Sequence, residues 1–160
     1  MRRTVAPQAA SAVAWDAVRE QLRYRAGGTW DAATEFAFAS PHAPRHDAFA
    51  AYARPSFAPG RALFDCAREL MARIHAEFTY ETFSTEVNTP ALEALAQRRG
   101  VCQDFAHILI ACLRAMGVPA RYVSGYLLTQ PPEGGADVVG ADASHAWVQV
   151  HVPGTPGVPD

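Results

Sequence analysis

The sequence has too little of several features to fit many functional classes. Its net charge is only −2 over 160 residues, so it offers no basic field and a nucleic-acid partner is not expected. No uninterrupted apolar run approaches the about 20 residues that a membrane-spanning helix needs, so no membrane partner is expected either. No internal repeat or low-complexity tract is visible. What remains is an ordinary globular chain, long enough to bury a sizeable core.

Cysteine is also scarce. The three cysteines, Cys66, Cys102 and Cys112, are too few and too odd in number for a disulfide scaffold, and they fit a reducing compartment. If Cys102 and Cys112 share a helix, they lie about 15 Å apart, which is beyond disulfide reach. No Cys-x-x-Cys pair exists and no His/Cys spacing is typical of zinc, so neither a metal nor a cofactor is predicted. With no apolar segment that would form a secretory signal near Met1, we predict a cytoplasmic location.

Helical patterns dominate the first two thirds of the sequence. Apolar spacing and end signals predict helices over 12–25, 32–38, 59–78, 90–100 and 102–116. A short turn over 47–52 is predicted to have Asp47 as its cap. The helix over 90–100 is predicted to have Thr89 as its N-cap, Pro90 as its first residue and Gly100 as its end. The segment 79–85 is aromatic and Thr-rich, which is compatible with extended structure.

Two strand-like segments follow. The first covers 120–128, and the second begins at Ser144, where aliphatic residues alternate with polar or aromatic ones. Because no helix separates the two strands, we predict an antiparallel pair and an α+β fold. The Pro- and Gly-rich segment 153–160 resembles a loop between strands, so the sheet is expected to be incomplete at the C-terminus. An unpaired strand edge there would favour self-association of the chain.

Cys102 is the strongest candidate for a functional residue. It follows a glycine and opens a long apolar helix, where the positive end of the helix dipole favours a thiolate. The alternative is a buried structural thiol, which is how we interpret Cys66 and Cys112 on their apolar helical faces. Asp104, in the same first turn, is interpreted as a partner of the helix dipole rather than as an acid catalyst.

His145 is the best candidate for a base that activates Cys102. It lies at the start of the second strand, whereas His107 lies about 500° round the helix from Cys102 and would point away from the thiol. His151 shares the face of His145 but lies about 20 Å further along the strand. The remaining histidines, His42, His46 and His75, are expected to be solvated. The alternative for His145 is one polar residue on the face of an edge strand.

Four segments together resemble the transglutaminase-like superfamily, especially its bacterial branch described as cysteine proteases. They read NTP at 88–90, RGVCQDFAH at 99–107, PARYVSGYL at 119–127 and DASHAWV at 142–148. The resemblance covers about 59–154 and implies a papain-like α+β core with the nucleophile at a helix N-terminus, packed on an antiparallel sheet. It implies Cys102 as the nucleophile and His145 as the general base. The resemblance also implies an orienting aspartate on the strand after the base, typically before Pro-Thr. That motif is missing here, and Asp160, the only acidic residue after His145, is the candidate third member of a Cys-His-Asp triad.

The resemblance also implies a domain organisation and an activity. Residues 1–57 would be the helical tail of a preceding domain plus a linker, and 58–160 a transglutaminase-like catalytic core that is truncated at its C-terminal end. The implied activity is thiol-dependent acyl transfer on peptide amide or glutamine carboxamide bonds, through a thioester. The expected partner is therefore a peptide or protein substrate.

The details of that activity are open at the level of sequence. The Cys102 backbone N–H, free at the helix start, is the expected donor to the oxyanion. Tyr80, Gln97 and Trp147 are candidates for a second donor. Hydrolysis by a cysteine peptidase or amidase is favoured, because excluding water requires special architecture. Protein-glutamine transamidation and a non-catalytic peptide-binding module are the alternatives.

Overall fold

A computed structural model describes residues 13–23, 25–28, 31–81, 89–126 and 144–153. Its helices are α1 (Trp15–Gln21), α2 (Asp47–Ala53), α3 (Leu63–Glu77), α4 (Ala91–Gln97) and α5 (Cys102–Ala115). Short 3₁₀ helices cover Ala32–Ala37 and Arg54–Ser56. The strands are β1 (Thr79–Tyr80), β2 (Arg99–Gly100), β3 (Ala120–Tyr126) and β4 (Ser144–Val150). This is the predicted α+β mixture.

The helix α5 is the centre of the fold. It packs against α2, α3 and α4 and against both β3 and β4. Ile108 and Leu113 are fully buried, because an apolar stripe at helical spacing faces neighbours on several sides. The same hydrophobic cluster includes Trp15 and Phe49 from the first sixty residues. The predicted domain boundary between residues 57 and 58 stays a prediction.

The described strands form two small sheets of two strands each. β3 and β4 are antiparallel, as predicted, with Ala120 opposite Val150 and Tyr126 opposite Ser144. Val148 and Val150 pack against the hydrophobic core, so the aliphatic face of β4 points inward. β1 and β2 are parallel and tie the end of α3 to the residues just before α5.

Several helix boundaries differ from the prediction, and α3 begins at Leu63 rather than at residue 59. α1 is shorter than 12–25, because Ala14 pairs with Ala62 in a β-bridge immediately before the helix. α4 begins after Pro90, which occupies the N-cap position itself, and not Thr89. α4 also ends before Gly100, because Arg98 adopts the left-handed conformation with a φ of 56° and terminates the helix.

The cap of α2 was also predicted wrongly. His46, not Asp47, is the N-cap residue, and its imidazole Nδ1 accepts a hydrogen bond from the Ala48 backbone N–H at 3.1 Å. The segment 32–38 is helical as predicted, but of the 3₁₀ type, with the Asp31 side chain capping it. Of the predicted extended segment 79–85, residues 79–81 are described, and Thr79 and Tyr80 form β1.

One arginine links three parts of the fold. The Arg114 Nε and Nη2 atoms, near the end of α5, donate to the Ala120 carbonyl at the start of β3, at 3.1 and 2.9 Å. Its Nη1 atom donates to the Phe38 carbonyl at 2.9 Å and to the Ser40 hydroxyl at 3.0 Å. The guanidinium therefore joins the central helix, the larger sheet and the N-terminal segment. Within the described ranges, no helix is long and apolar enough to cross a membrane.

Candidate active site

The N-terminus of α5, where the chain enters the helix, is capped by a carboxylate of its own first turn. Asp104, the third helical residue, is only 5 % exposed, and its Oδ2 accepts a hydrogen bond from the Val101 N–H at 2.8 Å. A side chain at Gly100 would place its Cβ 2.7 Å from the same Asp104 oxygen, and Gly100 has a φ of +158°. Glycine is therefore required where the chain enters the helix. The interpretation of Asp104 as a first-turn partner of the helix is consistent with this geometry.

The entrance is also held from outside by β1. The Thr79 N–H donates to the Arg98 carbonyl at 2.9 Å, and the Glu81 N–H donates to the Gly100 carbonyl at 3.0 Å. These two bonds flank the parallel pairing of β1 with β2. The backbone just before the thiol is thus fixed by strand pairing on one side and by a side-chain cap on the other.

Cys102 is the first residue of α5 and is half-buried, with a free thiol. It lines a cavity of about 580 Å³ between α3, α5 and β4. As a first-turn residue its backbone N–H has no intrahelical partner, so the N–H is available to a ligand in that cavity. Cys66 and Cys112 are buried, as expected for structural thiols. All three cysteines are free, and Cys102 and Cys112 do not bridge.

His145 lies in β4, beside this cavity rather than in its lining. It pairs with Gly125 of β3, while its neighbours Ala146, Trp147 and Val148 line the cavity. Strand alternation places His145 on the opposite face from Ala146 and Val148. Within the part of the chain that the structure describes, the Cys102 sulfur and the His145 imidazole are not hydrogen-bonded to each other, and catalytic hydrogen bonds often tighten only when substrate binds.

The Trp147 ring extends across the sheet next to His145. Their ring centroids are 6.2 Å apart at an interplanar angle of 43°. A Cβ at Gly125 would lie 2.8 Å from the Trp147 ring, so glycine is needed to admit the indole. The indole is therefore fixed between the backbone that pairs with His145 and the cavity that contains Cys102.

The candidates for a second oxyanion donor separate in the structure. Tyr80 and Trp147 both line the Cys102 cavity. Gln97 is exposed, and its amide is engaged elsewhere: it donates to Glu93 at 2.7 Å and accepts from the Arg99 Nε at 3.0 Å. Tyr80 and Trp147 thus stay candidates, and Gln97 does not lie among the cavity residues.

A second cavity, of about 360 Å³, contains residues that the sequence did not reveal as a group. The His107 and His42 rings stack at 4.9 Å with an interplanar angle of 12°, and the Tyr122 ring lies 5.3 Å from His107. Burial lowers the pKa of His107, the neighbouring His42 lowers it further, and Asp104 opposes both effects. His107 lines this cavity and not that of Cys102, in agreement with the prediction that it points away from the thiol.

Tyr122 connects the two sides of α5. It pairs with Val148, and because opposite residues in an antiparallel ladder share a face, its ring points towards α5. Burial raises the pKa of Tyr122, and the negative charge of a Cys102 thiolate raises it further. The alternation in the sequence identifies Val148 as part of the aliphatic face of β4, and the register of the pair would then have placed Tyr122 on the same side of the sheet.

The remaining histidines and the candidate acid lie at separate places in the chain. His75 is exposed, as expected, and lies at the rim of the Cys102 cavity. His46 is the cap of α2, and the His151 N–H donates to the Pro119 carbonyl at 3.1 Å. Asp160, the candidate third member of the triad, lies outside the described residues.

Comparison with known proteins gives this site its context. The profile of the transglutaminase-like superfamily matches residues 47–156. An uncharacterized protein of Mycobacterium bovis is 47% identical over 143 residues, which cover 89% of this chain and 44% of that protein. A protein-glutamine gamma-glutamyltransferase of Pseudomonas aeruginosa is 33% identical over 92 residues, or 52% of this chain and 14% of that protein.

A solved structure shows the same fold. The crystal structure of a proposed cysteine protease from Cytophaga hutchinsonii matches with a TM-score of 0.64 and 25% identity, covering 85% of this chain and 44% of that chain. This likeness confirms the predicted transglutaminase-like, papain-like α+β architecture. The chain spans less than half the length of the mycobacterial relative and of this structural neighbour.

Proposed function

Because this chain belongs to the transglutaminase-like superfamily, we propose that it catalyses thiol-dependent acyl transfer at amide bonds, with Cys102 as the nucleophile and His145 as the general base. The observation that carries the proposal is the position of Cys102, which is the first residue of α5 and lines a cavity bordered by β4. A thiolate at that end of a helix is favoured by the helix dipole and by the free N–H groups of the first turn. β4 is also the strand that carries His145.

In the first half of the proposed reaction, the His145 imidazole takes the proton of the Cys102 thiol, and the resulting thiolate attacks the carbonyl carbon of the amide. The sulfur–carbon bond forms, and the electron pair of the C=O bond moves to oxygen to give an oxyanion. The Cys102 backbone N–H donates to that oxyanion, with Tyr80 or Trp147 as the candidate second donor. The His145 imidazolium then gives its proton to the leaving nitrogen, the carbon–nitrogen bond breaks, and a thioester remains.

In the second half, an acceptor attacks the thioester. His145 removes the acceptor's proton, a second oxyanion forms, and its collapse breaks the carbon–sulfur bond and restores the thiolate. Water as the acceptor gives hydrolysis, which we favour because the Cys102 cavity borders exposed residues such as Met71, Tyr80 and Trp147. The resemblance to the superfamily leads us to expect an aspartate that orients the imidazole, and Asp160 stays the candidate. The cytoplasmic location also stays a prediction.

Transamidation is the second candidate function. It is favoured by the similarity to the gamma-glutamyltransferase of Pseudomonas aeruginosa over 92 residues. Adding a primary amine to a reaction with a glutamine-containing peptide distinguishes the two outcomes. An amide product with the amine would support transamidation, whereas unchanged release of the acid would support hydrolysis.

The experiment that tests the proposal is alkylation of the three cysteines by iodoacetamide at pH 6.5, with mass mapping of each site. About 1% of an ordinary thiol is ionised at that pH, so a thiolate at Cys102 should be labelled up to about 100-fold faster than an unperturbed cysteine. Cys66 and Cys112 are internal controls, because burial raises the pKa of Cys66 and raises that of Cys112 to about 12.

Two histidine variants complete the test. His145→Ala should slow the labelling of Cys102 at least about tenfold by removing the imidazolium partner. His75→Ala is the matched control, since His75 is an exposed histidine at the rim of the same cavity, and it should leave the rate unchanged. If Cys102 reacts no faster than the two buried thiols, the chain is a peptide-binding module and the enzymatic proposal fails.

A further inference from the structure

The cavity that contains Cys102 is almost entirely apolar. Its floor is made of Ile74, Phe78, Phe105 and Leu109, and Phe78 and Phe105 meet edge to face at 5.7 Å. These side chains belong to α3, to the residue after it, and to α5, so the floor is continuous with the hydrophobic core.

The rim of the cavity is apolar as well. Met71, Tyr80 and Trp147 line it, and they are 53 %, 60 % and 40 % exposed. Of the described residues in the lining, His75 is the only one with a titratable nitrogen, and none is a carboxylate or a guanidinium. A charged group placed here would lose its hydration and gain no ion pair from the described lining, which is costly.

The size of the cavity also points to a ligand group. About 580 Å³ falls within the range of about 300–1,000 Å³ that is typical of small-molecule sites. A large apolar group of a substrate bound for attack by Cys102 could be buried there, with its amide held at the thiol. Because Cys102 is itself part of the cavity lining, a substrate bound for attack by its sulfur would place a neighbouring group in this cavity.

We infer that the substrate is a peptide amide flanked by a large apolar side chain, aromatic or long aliphatic, which occupies the cavity beside Cys102. This inference rests on the proposed function, because it assigns the cavity to the substrate of that reaction. It predicts discrimination against acidic and small polar side chains at the same position. Met71, at the rim, would then be a specificity-determining residue.

The test compares two chloroacetamides that share one reactive group, one with an N-phenylethyl substituent and one with an N-hydroxyethyl substituent. Each rate of Cys102 modification is divided by the rate of the same reagent with free glutathione, and mass mapping identifies the site. The phenylethyl reagent should be favoured at least about tenfold, since even a single methylene group in an apolar pocket gives about that discrimination. Its rate should also saturate with concentration.

Variants on α3 provide the matched controls. Met71→Glu should reduce the preference at least about tenfold, and Met71→Leu should retain it. Phe64→Glu should leave it unchanged, because Phe64 lies on the same face of α3, is 49 % exposed and is not part of the cavity lining. Both positions are exposed, so the folded state should survive, which circular dichroism would verify.

The outcomes separate the two proposals. Slow labelling of Cys102 by iodoacetamide as well as by both chloroacetamides would overturn the enzymatic proposal. Fast labelling with equal normalised rates for the two chloroacetamides, or an equal effect of Met71→Glu and Phe64→Glu, would overturn the assignment of the cavity and leave the enzymatic proposal standing. A preference that Met71→Glu removes would support both, and peptides with Phe, Leu, Ser or Asp beside the scissile amide would then identify the side chain.

Discussion

Cys102 and Cys112 lie on the same helix in opposite environments. Cys102 is the first residue of α5 and is half-buried. It lines a cavity whose rim includes the exposed aromatic residues Tyr80 and Trp147. Cys112 lies in the interior of the helix, where no part of it is exposed, and burial raises its pKa to about 12. The two thiols show that position along one helix determines whether a cysteine is accessible from a cavity or enclosed by the core.

The largest expected effect comes from removing each thiol in turn. Cys102→Ala should reduce acyl transfer by at least about a thousandfold, while the free energy of unfolding changes by less than about 0.5 kcal/mol. Cys112→Ala should do the reverse, keeping activity but lowering the free energy of unfolding by about 1 kcal/mol through the space it leaves in the core. Substrate turnover and urea unfolding measure the two effects. Loss of activity in both variants would contradict the assignment of a catalytic role to Cys102 alone.

A second prediction uses alkaline pH. The pKa of Cys112 is raised from 9.0 to about 12 in the folded protein, so above pH 9 the unfolded chain releases a proton that the folded chain keeps. This contribution to stability is complete below pH 9 and is lost as pH rises towards 12, at about 1.4 kcal/mol per pH unit. Urea unfolding between pH 8 and 10.5 should therefore show a shallower decline in Cys112→Ala than in Cys102→Ala. Burial also raises the pKa of Tyr52 to about 12, and this contribution is common to both variants.

A third prediction compares two first-turn carboxylates, the buried Asp104 of α5 and the exposed Asp65 of α3. Asp104→Ala should lower the free energy of unfolding by about 1–2 kcal/mol, because the Val101 N–H loses its acceptor. Asp65, in the first turn of α3, makes an exposed ion pair with Arg68 at 3.4 Å, so Asp65→Ala should cost less than about 0.5 kcal/mol. Equal costs in urea unfolding would show that the buried cap adds no more stability than an exposed carboxylate of a first turn.

The smallest expected effect lies on the other side of α5, at His107. Burial and the stacked His42 lower its pKa below the usual 6.5, so the folded state resists a proton that the unfolded chain accepts. The stability it contributes is therefore present above pH 6.5 and is lost as pH falls through the lowered pKa. Thermal unfolding between pH 7.5 and 5 should be less sensitive to pH in His107→Gln than in the wild type. His75→Gln, at an exposed position, should match the wild type.

Much of this molecule could be predicted from local signals. Glycine before Cys102, followed by apolar residues at helical spacing, predicted α5 correctly, and the alternation that begins at Ser144 predicted β4 and its aliphatic face. These signals are strong because each depends only on neighbouring residues and on the period of a helix or strand. The superfamily was recognised from the same segments.

The remaining features depend on contacts between distant segments. His42 meets His107 across 65 positions of sequence, and neither has a local pattern that marks the other. The helix ends at His46 and Arg98 depend on one side-chain rotamer and one left-handed residue, which many sequences can adopt. The side-chain position of His145 relative to the sulfur depends on the twist and register of a sheet, and the alternation of β4 determines only its face.

The short pairing between β1 and β2 has a mechanical consequence. It transmits the position of the end of α3 to the backbone that carries Cys102, through two hydrogen bonds at Arg98 and Gly100. An added residue within α3 would turn β1 by about 100° and advance it by about 1.5 Å, so the chain entering α5 would lose its partner. The length of α3 therefore determines the position of the Cys102 sulfur, although α3 ends well before Cys102 in the sequence.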